Sequence, residues 1–514
     1  MTVTGERLLY IDKLPTGISG FDHIAAGGLP RGRTTLVTGT SGSAKTVFAC
    51  QFLVEGIRQA GDAGVFVTFE ESPDDIRRNM IGFGWDIRRW EREGKWVFVD
   101  ASHHPGEESV ITGEFDLGAL LARIESAARS IGARRISMDS LGAILVQFGD
   151  NATVRNELFR VVSSLKQIGM TAVLTAERAD EYGPVSRYSV EEFVADNVVI
   201  LRNVLEDEKR RRTVEILKYR GTEHAKGEFP FTIVPGQGIV VIPLSAIELK
   251  QRSSSTRITS GNSELDRMCG GGFFRDSIIL VSGATGTGKT LMATVFMAGG
   301  TLTGERCLLF AFEESRDQLF RNAIGWGVDF ERMEREGLLR VVCEYPETAG
   351  LEDHLVRMKE IIAQFKPNRI AIDSLSALER VSTPRSFREF VIAITSYIKQ
   401  QEVAGLYTST TPTLLGGTSI TEGHISTITD SIILLRYVET FGEMRRGMTV
   451  LKMRGSMHDK NIREFTIDQH GMHITRPFRN IAGILSGNFM YVTSSEVERL
   501  QELFQDDVDS RLDE

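Results

Sequence analysis

The chain contains the same succession of motifs twice, and this internal repeat restricts its fold more than any other feature. Five blocks of the first half return in the same order in the second half, at offsets of 244, 243 and then 234 residues. The paired blocks are 16–46 with 260–290, 65–79 with 308–322, 134–143 with 368–377, 196–204 with 430–438, and 216–224 with 450–458. A nearly constant offset over five blocks indicates a duplicated domain of about 235 residues.

The limits of the two copies predict how the chain is organised. We expect a first domain at 1–240, a linker at 241–257, a second domain at 258–480 and an unduplicated tail at 481–514. Within each copy, short β-branched runs alternate with longer helical patterns. This alternation predicts an α/β fold in which a mostly parallel sheet is flanked by helices. Two later runs joined by a short charged turn predict a hairpin that extends the sheet.

Composition excludes several classes of protein. Apolar residues make up 41% of the 514 residues and charged residues 25%, which suits full-sized cores and argues against a disordered chain. The formal net charge of −9 does not indicate a nucleic-acid partner. The four cysteines show no CxxC spacing, so we interpret them as reduced thiols of a cytoplasmic protein. Because no apolar run approaches about 18 residues, no membrane segment is expected.

The second copy contains a complete phosphate-binding loop. The sequence from Gly283 to Thr290 matches G-x4-G-K-[ST], follows an apolar run and opens a helical pattern. In such a loop, backbone N–H groups surround a phosphate, the lysine reaches the β- and γ-phosphate oxygens, and the threonine binds Mg²⁺. A glycine-rich turn that binds nothing is the alternative. The predicted nucleotide-binding residues are Gly283, Thr285, Gly286, Thr287, Gly288, Lys289 and Thr290.

The first copy has the same loop with one departure. Ala44 occupies the position at which the pattern requires glycine, whereas Lys45 and Thr46 are retained. The Ala44 methyl group is harmless if the residue has a negative φ, and otherwise it crowds the phosphate. We still predict a nucleotide site, and its residues are Gly39, Thr40, Ser41, Gly42, Ser43, Ala44, Lys45 and Thr46.

Acidic residues end two of the predicted strands in each copy. Asp139 and Asp373 end apolar strands, where a carboxylate can hold Mg²⁺ together with the P-loop threonine; a buried helix-capping aspartate is the alternative. A Glu-Glu pair ends the strand that follows each P-loop helix, at the edge where ligands bind in α/β sheets. A carboxylate there can take a proton from water or a hydroxyl, unless the pairs are ordinary surface glutamates. The predicted catalytic residues are Glu70, Glu71, Glu313 and Glu314.

A basic segment recurs near the end of each copy. The pattern K-x-R-G-x-x-H supplies Lys218, Arg220 and His224 in the first copy and Lys452, Arg454 and His458 in the second. Lysine and arginine two residues apart on a strand point to the same face. In an oligomeric ATPase, such a pair can reach the γ-phosphate of nucleotide bound by a neighbouring subunit. An edge strand with solvated charges is the alternative.

These motifs resemble the KaiC family of circadian clock autokinases and ATPases, over nearly the whole chain. The resemblance implies two tandem RecA-like P-loop domains and a double-ring homohexamer with Mg-ATP between subunits. It implies ATP hydrolysis in the first ring and autophosphorylation of Ser426 and Thr427 in the second, within a segment that begins at Thr421. It also implies nucleotide contacts for Trp326 and for both basic segments, and a KaiB-like partner.

The first copy serves as an internal control for the acceptors. At the 234-residue offset, Ser426 and Thr427 correspond to Glu192 and Phe193, so the first copy has no hydroxyl groups to phosphorylate. We predict that the acceptors lie in an extended segment with their side chains on opposite faces; ordinary strand residues are the alternative. Arg380 is the predicted donor to the phosphorylated side chain.

The chain departs from the family pattern in two further segments. Residues 101–118 differ near the place where KaiB would dock, and the tail lacks the family's usual KaiA-binding stretch, so no dependence on KaiA is predicted. Apolar residues of the tail fall at helical spacings, and such a helix would either pair two hexamers or pack on its own ring. These residues are Val497, Leu500, Leu503, Phe504 and Val508. Two other functions stay open, a RecA-like DNA-dependent ATPase and a signalling scaffold that uses ATP only to assemble.

Overall fold

A computed structural model of the protein describes residues 11–102, 117–145, 151–186, 191–206, 208–243, 253–411, 425–440, 442–479, 481–484 and 490–491. The chain divides into two compact units, Met1–Glu248 and Leu249–Glu514, and each is described by itself. The predicted limits of the domains and the linker stay predictions. Thr421, most of the segment 101–118 and the predicted helix of the tail lie outside the described residues.

A nine-stranded sheet forms the centre of the first unit. The strands of this unit are β1 (Lys13–Leu14), β2 (Leu29–Pro30), β3 (Thr34–Gly39), β4 (Gly64–Thr68), β5 (Trp96–Asp100), β6 (Arg135–Asp139), β7 (Thr171–Glu177), β8 (Asn197–Glu206), β9 (Lys209–Tyr219), β10 (Glu228–Val234) and β11 (Gly238–Val241). The order in the sheet is β11-β10-β9-β8-β3-β7-β6-β4-β5. Strands β3 to β8 pair in parallel, and β9 to β11 continue the sheet as antiparallel strands.

Helices cover both faces of the parallel strands, which explains why these strands are apolar without alternation. All residues of β3 and β4 are buried, and the neighbours Leu36 and Val37 belong to different apolar clusters. The helices are α1 (Phe21–Ile24), α2 (Lys45–Glu55), α3 (Pro73–Ile81), α4 (Ile87–Arg92), α5 (Leu117–Ile131), α6 (Leu141–Leu145), α7 (Asn151–Gln167) and α8 (Glu191–Val194). A π-helical turn at Gly56–Ala60 continues α2. The predicted hairpin is present as β8 and β9.

The second unit repeats this architecture. Its strands are β12 (Arg257–Ile258), β13 (Phe273–Phe274), β14 (Ile278–Gly283), β15 (Cys307–Ala311), β16 (Leu339–Cys343), β17 (Arg369–Asp373), β18 (Ala404–Thr410), β19 (Ser431–Thr440), β20 (Glu443–Met453), β21 (Arg463–Asp468), β22 (Gly471–Pro477), β23 (Ile481–Ala482) and β24 (Met490–Tyr491). Its helices are α9 (Ser263–Met268), α10 (Lys289–Leu302), α11 (Arg316–Gly325), α12 (Phe330–Arg335), α13 (Leu351–Phe365), α14 (Leu375–Arg380), α15 (Pro384–Gln400) and α16 (Ile425–Ile428), with a 3₁₀ turn at Pro346–Thr348.

The nine-stranded sheet of the second unit has the order β16-β15-β17-β18-β14-β19-β20-β21-β22, which is the order of the first sheet read from its other edge. The predicted fold class is therefore confirmed: two tandem RecA-like domains, each a mostly parallel sheet flanked by helices. At the start of the predicted tail, β23 pairs with β24 in an antiparallel hairpin. All four cysteines are free thiols. Among the described residues, no helix is both long and apolar enough to span a membrane.

A buried arginine joins the P-loop helix to the strand that carries the predicted Mg²⁺ aspartate in each unit. In the second unit, Arg369 is 1% exposed; its Nε donates to Glu305 at 2.5 Å and its Nη1 donates to the carbonyl of Thr259 at 2.6 Å. Its guanidinium also lies 4.9 Å from the ring centroid of Phe296, on α10. A Cβ at Gly300 would approach Arg369 Nε to 2.8 Å, so glycine is required where the helix passes the arginine. Arg135 occupies the same place in the first unit.

We predict that Arg369→Met lowers the free energy of unfolding of the second unit by about 3 kcal/mol, because it leaves two backbone carbonyls without their buried donor and removes the buried one of the two cations that contact Glu305. Urea titration followed by the fluorescence of Trp326 measures this change. Arg275→Met is the matched control: Arg275 contacts the same Glu305 at 2.7 Å but its side chain is 34% exposed. We expect the control to cost less than about 1 kcal/mol, and equal losses in the two variants would contradict the prediction.

Candidate nucleotide and phosphoacceptor sites

The predicted P-loop, metal and catalytic residues meet at one edge of each sheet. In the first unit, β3, β7, β6 and β4 are neighbours and all parallel, so their carboxyl ends share an edge. The P-loop follows β3, Asp139 ends β6, and the Glu70-Glu71 pair follows β4. The second unit brings its P-loop, Asp373 and the Glu313-Glu314 pair together in the same way. This edge is where open α/β sheets bind ligands.

In the first P-loop, the lysine side chain is hydrogen-bonded to the backbone of the loop itself. Lys45 Nζ donates to the carbonyls of Gly39 at 3.0 Å and Thr40 at 2.9 Å. Burial lowers the pKa of Lys45, while nearby carboxylates, Glu177 first among them, oppose that shift. In the second loop, Lys289 Nζ donates to the carbonyl of Ala284 at 3.0 Å, and burial again lowers the pKa of the lysine. Both lysines are thus held beside the loop backbone, where the motif requires an ammonium group for phosphate.

The structure removes one of the two alternatives for Ala44. Its φ is 76° and its ψ is 28°, which is the left-handed region, so the possibility of a negative φ is wrong. Gly288 has the same role in the second loop at a φ of 104°. The loop backbone needs a positive φ at this position before it enters the helix, and an L-residue tolerates that conformation at a cost of about 1–2 kcal/mol. The first loop therefore carries local strain that the second avoids.

A threonine and an aspartate form the predicted metal pair in each unit. Thr46 Oγ1 donates to Asp139 Oδ2 at 2.6 Å, and Thr175 donates to the other oxygen of Asp139. Thr290 and Thr408 make the same contacts with Asp373. Burial raises the pKa of Asp373, and these two hydrogen bonds only partly oppose the rise. No group of three His, Cys, Asp or Glu side chains suited to a metal occurs among the described residues.

Two oxygen ligands per site nevertheless fit Mg²⁺, which usually takes one or two protein oxygens, several waters and the oxygens of a substrate phosphate. In the first unit these ligands border a cavity of 280 Å³ beside Lys45. That volume lies just below the usual range of about 300–1,000 Å³ for ligand pockets. The cavity is lined by Ser41, Gly42, Ala44, Lys45, Thr46, Val47, Thr68, Glu70, Glu71, Asp139, Ser140 and Glu177.

The two glutamates of each pair have different surroundings. The first glutamate of each pair is the one whose charge acts on the P-loop lysine: Glu70 opposes the lowering of the pKa of Lys45, and Glu313 opposes that of Lys289. Glu70 also accepts a hydrogen bond from Ser140, at 2.8 Å. The second glutamate of each pair is turned to a helix and held there by an asparagine. These contacts are Asn79 to Glu71 at 3.1 Å and Asn322 to Glu314 at 3.0 Å.

Burial raises the pKa of Glu71 and of Glu314, which fits this second environment. Sequence reasoning missed the two asparagines and the threonines that hold the aspartates, although Asn79 and Asn322 recur at the 243-residue offset and could have been found there. It also missed Glu177, which ends β7 beside Gly39 and corresponds to Thr410 in the second unit.

Arg380, the predicted donor to a phosphorylated side chain, contacts a glutamate of its own unit, and its role toward a phosphate stays a prediction. It ends α14, and both of its terminal nitrogens donate to Glu313 Oε1, at 3.1 and 3.2 Å. The guanidinium therefore neutralises the glutamate beside the P-loop of its own unit. Sequence distance alone gave no indication of this contact, because Glu313 and Arg380 are brought together by the pairing of β15 with β17.

The basic segments lie at the end of each sheet opposite the P-loop, where β8 or β19, a neighbour of the P-loop strand, begins. Lys218 Nζ donates to the carbonyls of Glu192 and Ala195, both at 2.7 Å, and burial lowers its pKa. Arg220 lies 3.9 Å from Asp196, which precedes β8. In the second unit, Arg454 similarly lies 3.7 Å from Asp430, which precedes β19. These strands run parallel to the P-loop strand, so the residues before them are far from the loop.

The predicted acceptors rest on the second basic segment. Lys452 Nζ donates to the carbonyls of Ser426 and Thr429 at 2.7 Å, and Arg454 Nη2 donates to the carbonyl of Thr427 at 2.9 Å. Ser426 and Thr427 lie in the short helix α16, so the prediction of an extended segment is wrong. The helix satisfies its last carbonyls with these two cations, which favour a helix C-terminus.

The structure also describes the other three predicted nucleotide residues. Trp326 follows α11 as its C-cap and packs partly buried against the apolar core of the second unit. His224 contacts the ring of Tyr219 edge-on, with centroids 5.8 Å apart. His458 has a buried Nδ1 that accepts and donates no hydrogen bond within the described part of the chain. Their roles in nucleotide binding stay predictions.

We expect Ala44→Gly to raise the free energy of unfolding of the first unit by about 1 kcal/mol, since it relieves the left-handed strain of an L-residue. Gly288→Ala should lower that of the second unit by a similar amount. Urea unfolding, followed by the tryptophans of each unit, measures both changes. A loss of stability in Ala44→Gly would show that the methyl group contributes more by packing than it costs in strain.

Comparison with known proteins agrees with this geometry. The model of the family described as ATPase: KaiC matches residues 14–246 and again residues 258–478. The chain is 71% identical to the circadian clock protein KaiC3 of Synechocystis sp. over 498 residues, which cover 97% of this chain and 98% of that protein. It is 57% identical to the circadian clock oscillator protein KaiC of Acaryochloris marina, over 98% of this chain and 96% of that protein. The chain belongs to the KaiC family of circadian clock ATPases.

Proposed function

We propose that this protein is a homohexameric, Mg-ATP-dependent ATPase and autokinase, in which the first unit hydrolyses ATP and the second phosphorylates Ser426 and Thr427. The observation that carries this proposal is the contact of Lys452 and Arg454 with the helix that contains the two hydroxyl groups. The basic pair that is predicted to bind a γ-phosphate is thus in direct contact with the predicted acceptor residues. Both lie at the amino-terminal end of the parallel strands, whereas the unit's own P-loop lies at their carboxyl end.

The length of the strands supports transfer between subunits. Asp430 N donates to the carbonyl of Ile278 at the start of β14, and the P-loop begins at Gly283 at its end. Five residue steps of a strand separate these two edges by about 17 Å. An acceptor at one edge cannot reach a γ-phosphate at the other within the same unit. A ring in which each subunit presents its basic segment to the next subunit's P-loop closes this gap.

The same three residue types, a lysine, a threonine and an aspartate, are proposed to bind the phosphates and Mg²⁺ in both units. Lys45, Thr46 and Asp139 would hold Mg-ATP in the first unit, and Lys289, Thr290 and Asp373 in the second. When bound, Mg²⁺ neutralises charge on the phosphoryl oxygens. The remaining chemistry is proton removal. In the second unit the hydroxyl oxygen bonds to the γ-phosphorus, the bond from that phosphorus to the β-phosphate breaks, and a glutamate accepts the hydroxyl proton.

The surroundings of the glutamates favour the first of each pair as the base. The charges of Glu70 and Glu313 act on the pKa of the P-loop lysines, whereas Glu71 and Glu314 are held by asparagines on the following helices. We therefore assign proton removal to Glu70 for water and to Glu313 for the acceptor hydroxyl. In the second unit, Arg380 must release Glu313 or share it when the site is active.

Glu70→Gln should lower steady-state ATP hydrolysis by roughly 10²–10⁴-fold, because it keeps the side-chain volume and removes the base. Glu71→Gln is the matched control, and its loss should stay within about tenfold. Incorporation of label from γ-labelled ATP should continue in both variants, because it depends on Glu313. If hydrolysis instead follows Glu313→Gln, the assignment of hydrolysis to the first unit is reversed.

Mixed rings test transfer between subunits. One variant lacks the second-unit phosphate-binding groups, Lys289→Ala with Thr290→Ala, and the other lacks the acceptors, Ser426→Ala with Thr427→Ala. Neither variant alone should become labelled. When the two are assembled together with γ-labelled ATP, the chain with the altered P-loop should carry label on Ser426 or Thr427, as determined by mass spectrometry. Transfer within a subunit predicts no label in any mixture.

The partners follow from the family and not from described residues. We propose a KaiB-like protein as partner and no dependence on KaiA, since the tail departs from the family's KaiA-binding stretch. Pairing of hexamers through the tail is a further proposal. Deletion from about Ser494 should then reduce a larger particle to single hexamers in light scattering, and an unchanged particle size would reject pairing.

A further inference from the structure

The loop that follows β7 in the first unit makes an unusual set of contacts with the P-loop. Arg178 N donates to the carbonyl of Gly39 at 3.1 Å, which joins the start of this loop to the start of the P-loop. Three residues later, the Glu181 carboxylate accepts from Thr40 Oγ1 at 2.5 Å and from Asn203 N at 3.1 Å. One acidic side chain thus ties the second residue of the P-loop to strand β8.

The loop itself is held at both ends, so it can act as a fixed support. The buried Arg178 donates from Nε to the carbonyl of Pro184 at 2.9 Å and from Nη2 to that of Gly183 at 2.6 Å. Thr38, on β3, donates to the carbonyl of Val185 at 2.7 Å. Ser186 donates to Glu192 Oε2 at 2.6 Å. These bonds fold residues 178–186 back on themselves and onto the sheet.

The second unit does not contain the groups that make this tie. Ala284 occupies the position of Thr40 and has no hydroxyl group. Thr411 replaces Arg178, and its backbone N donates to the carbonyl of Gly283 at 3.1 Å. The sequence position that corresponds to Glu181 is a leucine, Leu414 or Leu415, outside the described residues. The tie is therefore a property of the first unit and was not predicted from the motifs.

We propose that Glu181 is a positioning residue of the first nucleotide site, which holds the start of the P-loop in its phosphate-binding conformation through Thr40. The inference rests on the proposed binding of ATP at this loop. Its physical basis is preorganisation: a loop that is already fixed loses less freedom when it binds a ligand. A hydrogen bond to a charged group is also stronger than one between neutral groups. Thr40 lies at the start of the first P-loop, and the strained Ala44 lies near its end. The hydrogen bond from Thr40 to Glu181 therefore stabilises a strained loop, whereas the second P-loop has glycine at the strained position.

The direct test is hydrogen exchange in the ATP-free full-length chain, which reports local opening of the backbone. Thr40→Val and Glu181→Ala should each increase exchange in the peptide 39–46, whereas the peptide 283–290 of the second unit should be unchanged. Thr40→Ser restores the hydroxyl group and should restore protection. Unchanged exchange in the first P-loop of both disruptive variants would overturn the proposal, whether or not the protein hydrolyses ATP.

Kinetics supply the second readout. Thr40→Val and Glu181→Ala should each raise KM for ATP hydrolysis by roughly tenfold, the effect of losing one hydrogen bond to a charged group, with kcat changed by less than about threefold. The double variant should be no worse than the worse single variant, because the two residues share one interaction. Asp180→Asn removes a charge from an exposed position of the same loop and should leave KM unchanged.

Two failures are distinguishable. If KM rises equally in Asp180→Asn, or if the effects of Thr40→Val and Glu181→Ala add, loop charge rather than the tie controls the site, and the positioning role is wrong. If the wild-type protein shows no hydrolysis that depends on Glu70, the proposed function of the first unit fails, while the exchange of peptide 39–46 still decides the role of Glu181.

Discussion

The parallel pairing of six strands is the constraint on which the rest of the structure depends. Parallel strands place all their carboxyl ends at one edge of a sheet, so the P-loop, the aspartate and the paired glutamates meet there without further design. The same pairing puts the residues that precede β8 and β19 at the other edge, and the basic segments of β9 and β20 lie against them. In the proposed ring, the cationic end of one subunit's sheet complements the phosphate-binding end of the next subunit's sheet.

Duplication has kept this frame and changed the side chains that decide the chemistry. The two sheets share their strand order, their buried arginine and their Thr-Asp pair. The differences lie in the loops and in the short helices α8 and α16: Ala44 against Gly288, the Glu181 tie against Ala284, and Glu192 against Ser426. Each difference suits the proposed function, in which the first unit hydrolyses ATP and the second unit transfers phosphate to α16 of a neighbouring subunit.

Most of the fold was predictable because the repeat shows each signal twice. The strand limits at β3 and β6 follow from apolar runs between glycine and charged residues, and the parallel sheet follows from their alternation with helices. The residues at the carboxyl edge were predictable for the same reason. Local backbone conformation was not predictable. The left-handed φ of Ala44 is imposed by the loop. Helix α16 forms where we expected an extended segment, because Lys452 and Arg454 bind its carbonyls. Contacts made by sheet pairing, such as that between Arg380 and Glu313, also leave no local signal.

In the proposed mechanism, a complete catalytic site exists only between subunits. The most direct measurement is the ATPase activity per chain as the protein is diluted in saturating Mg-ATP, with the assembly state followed by sedimentation in the same solutions. We expect the activity per chain to fall in step with the loss of hexamers and to vanish with the monomer. Constant activity per chain through the dissociation of the ring would contradict it, because each chain would then complete its own site.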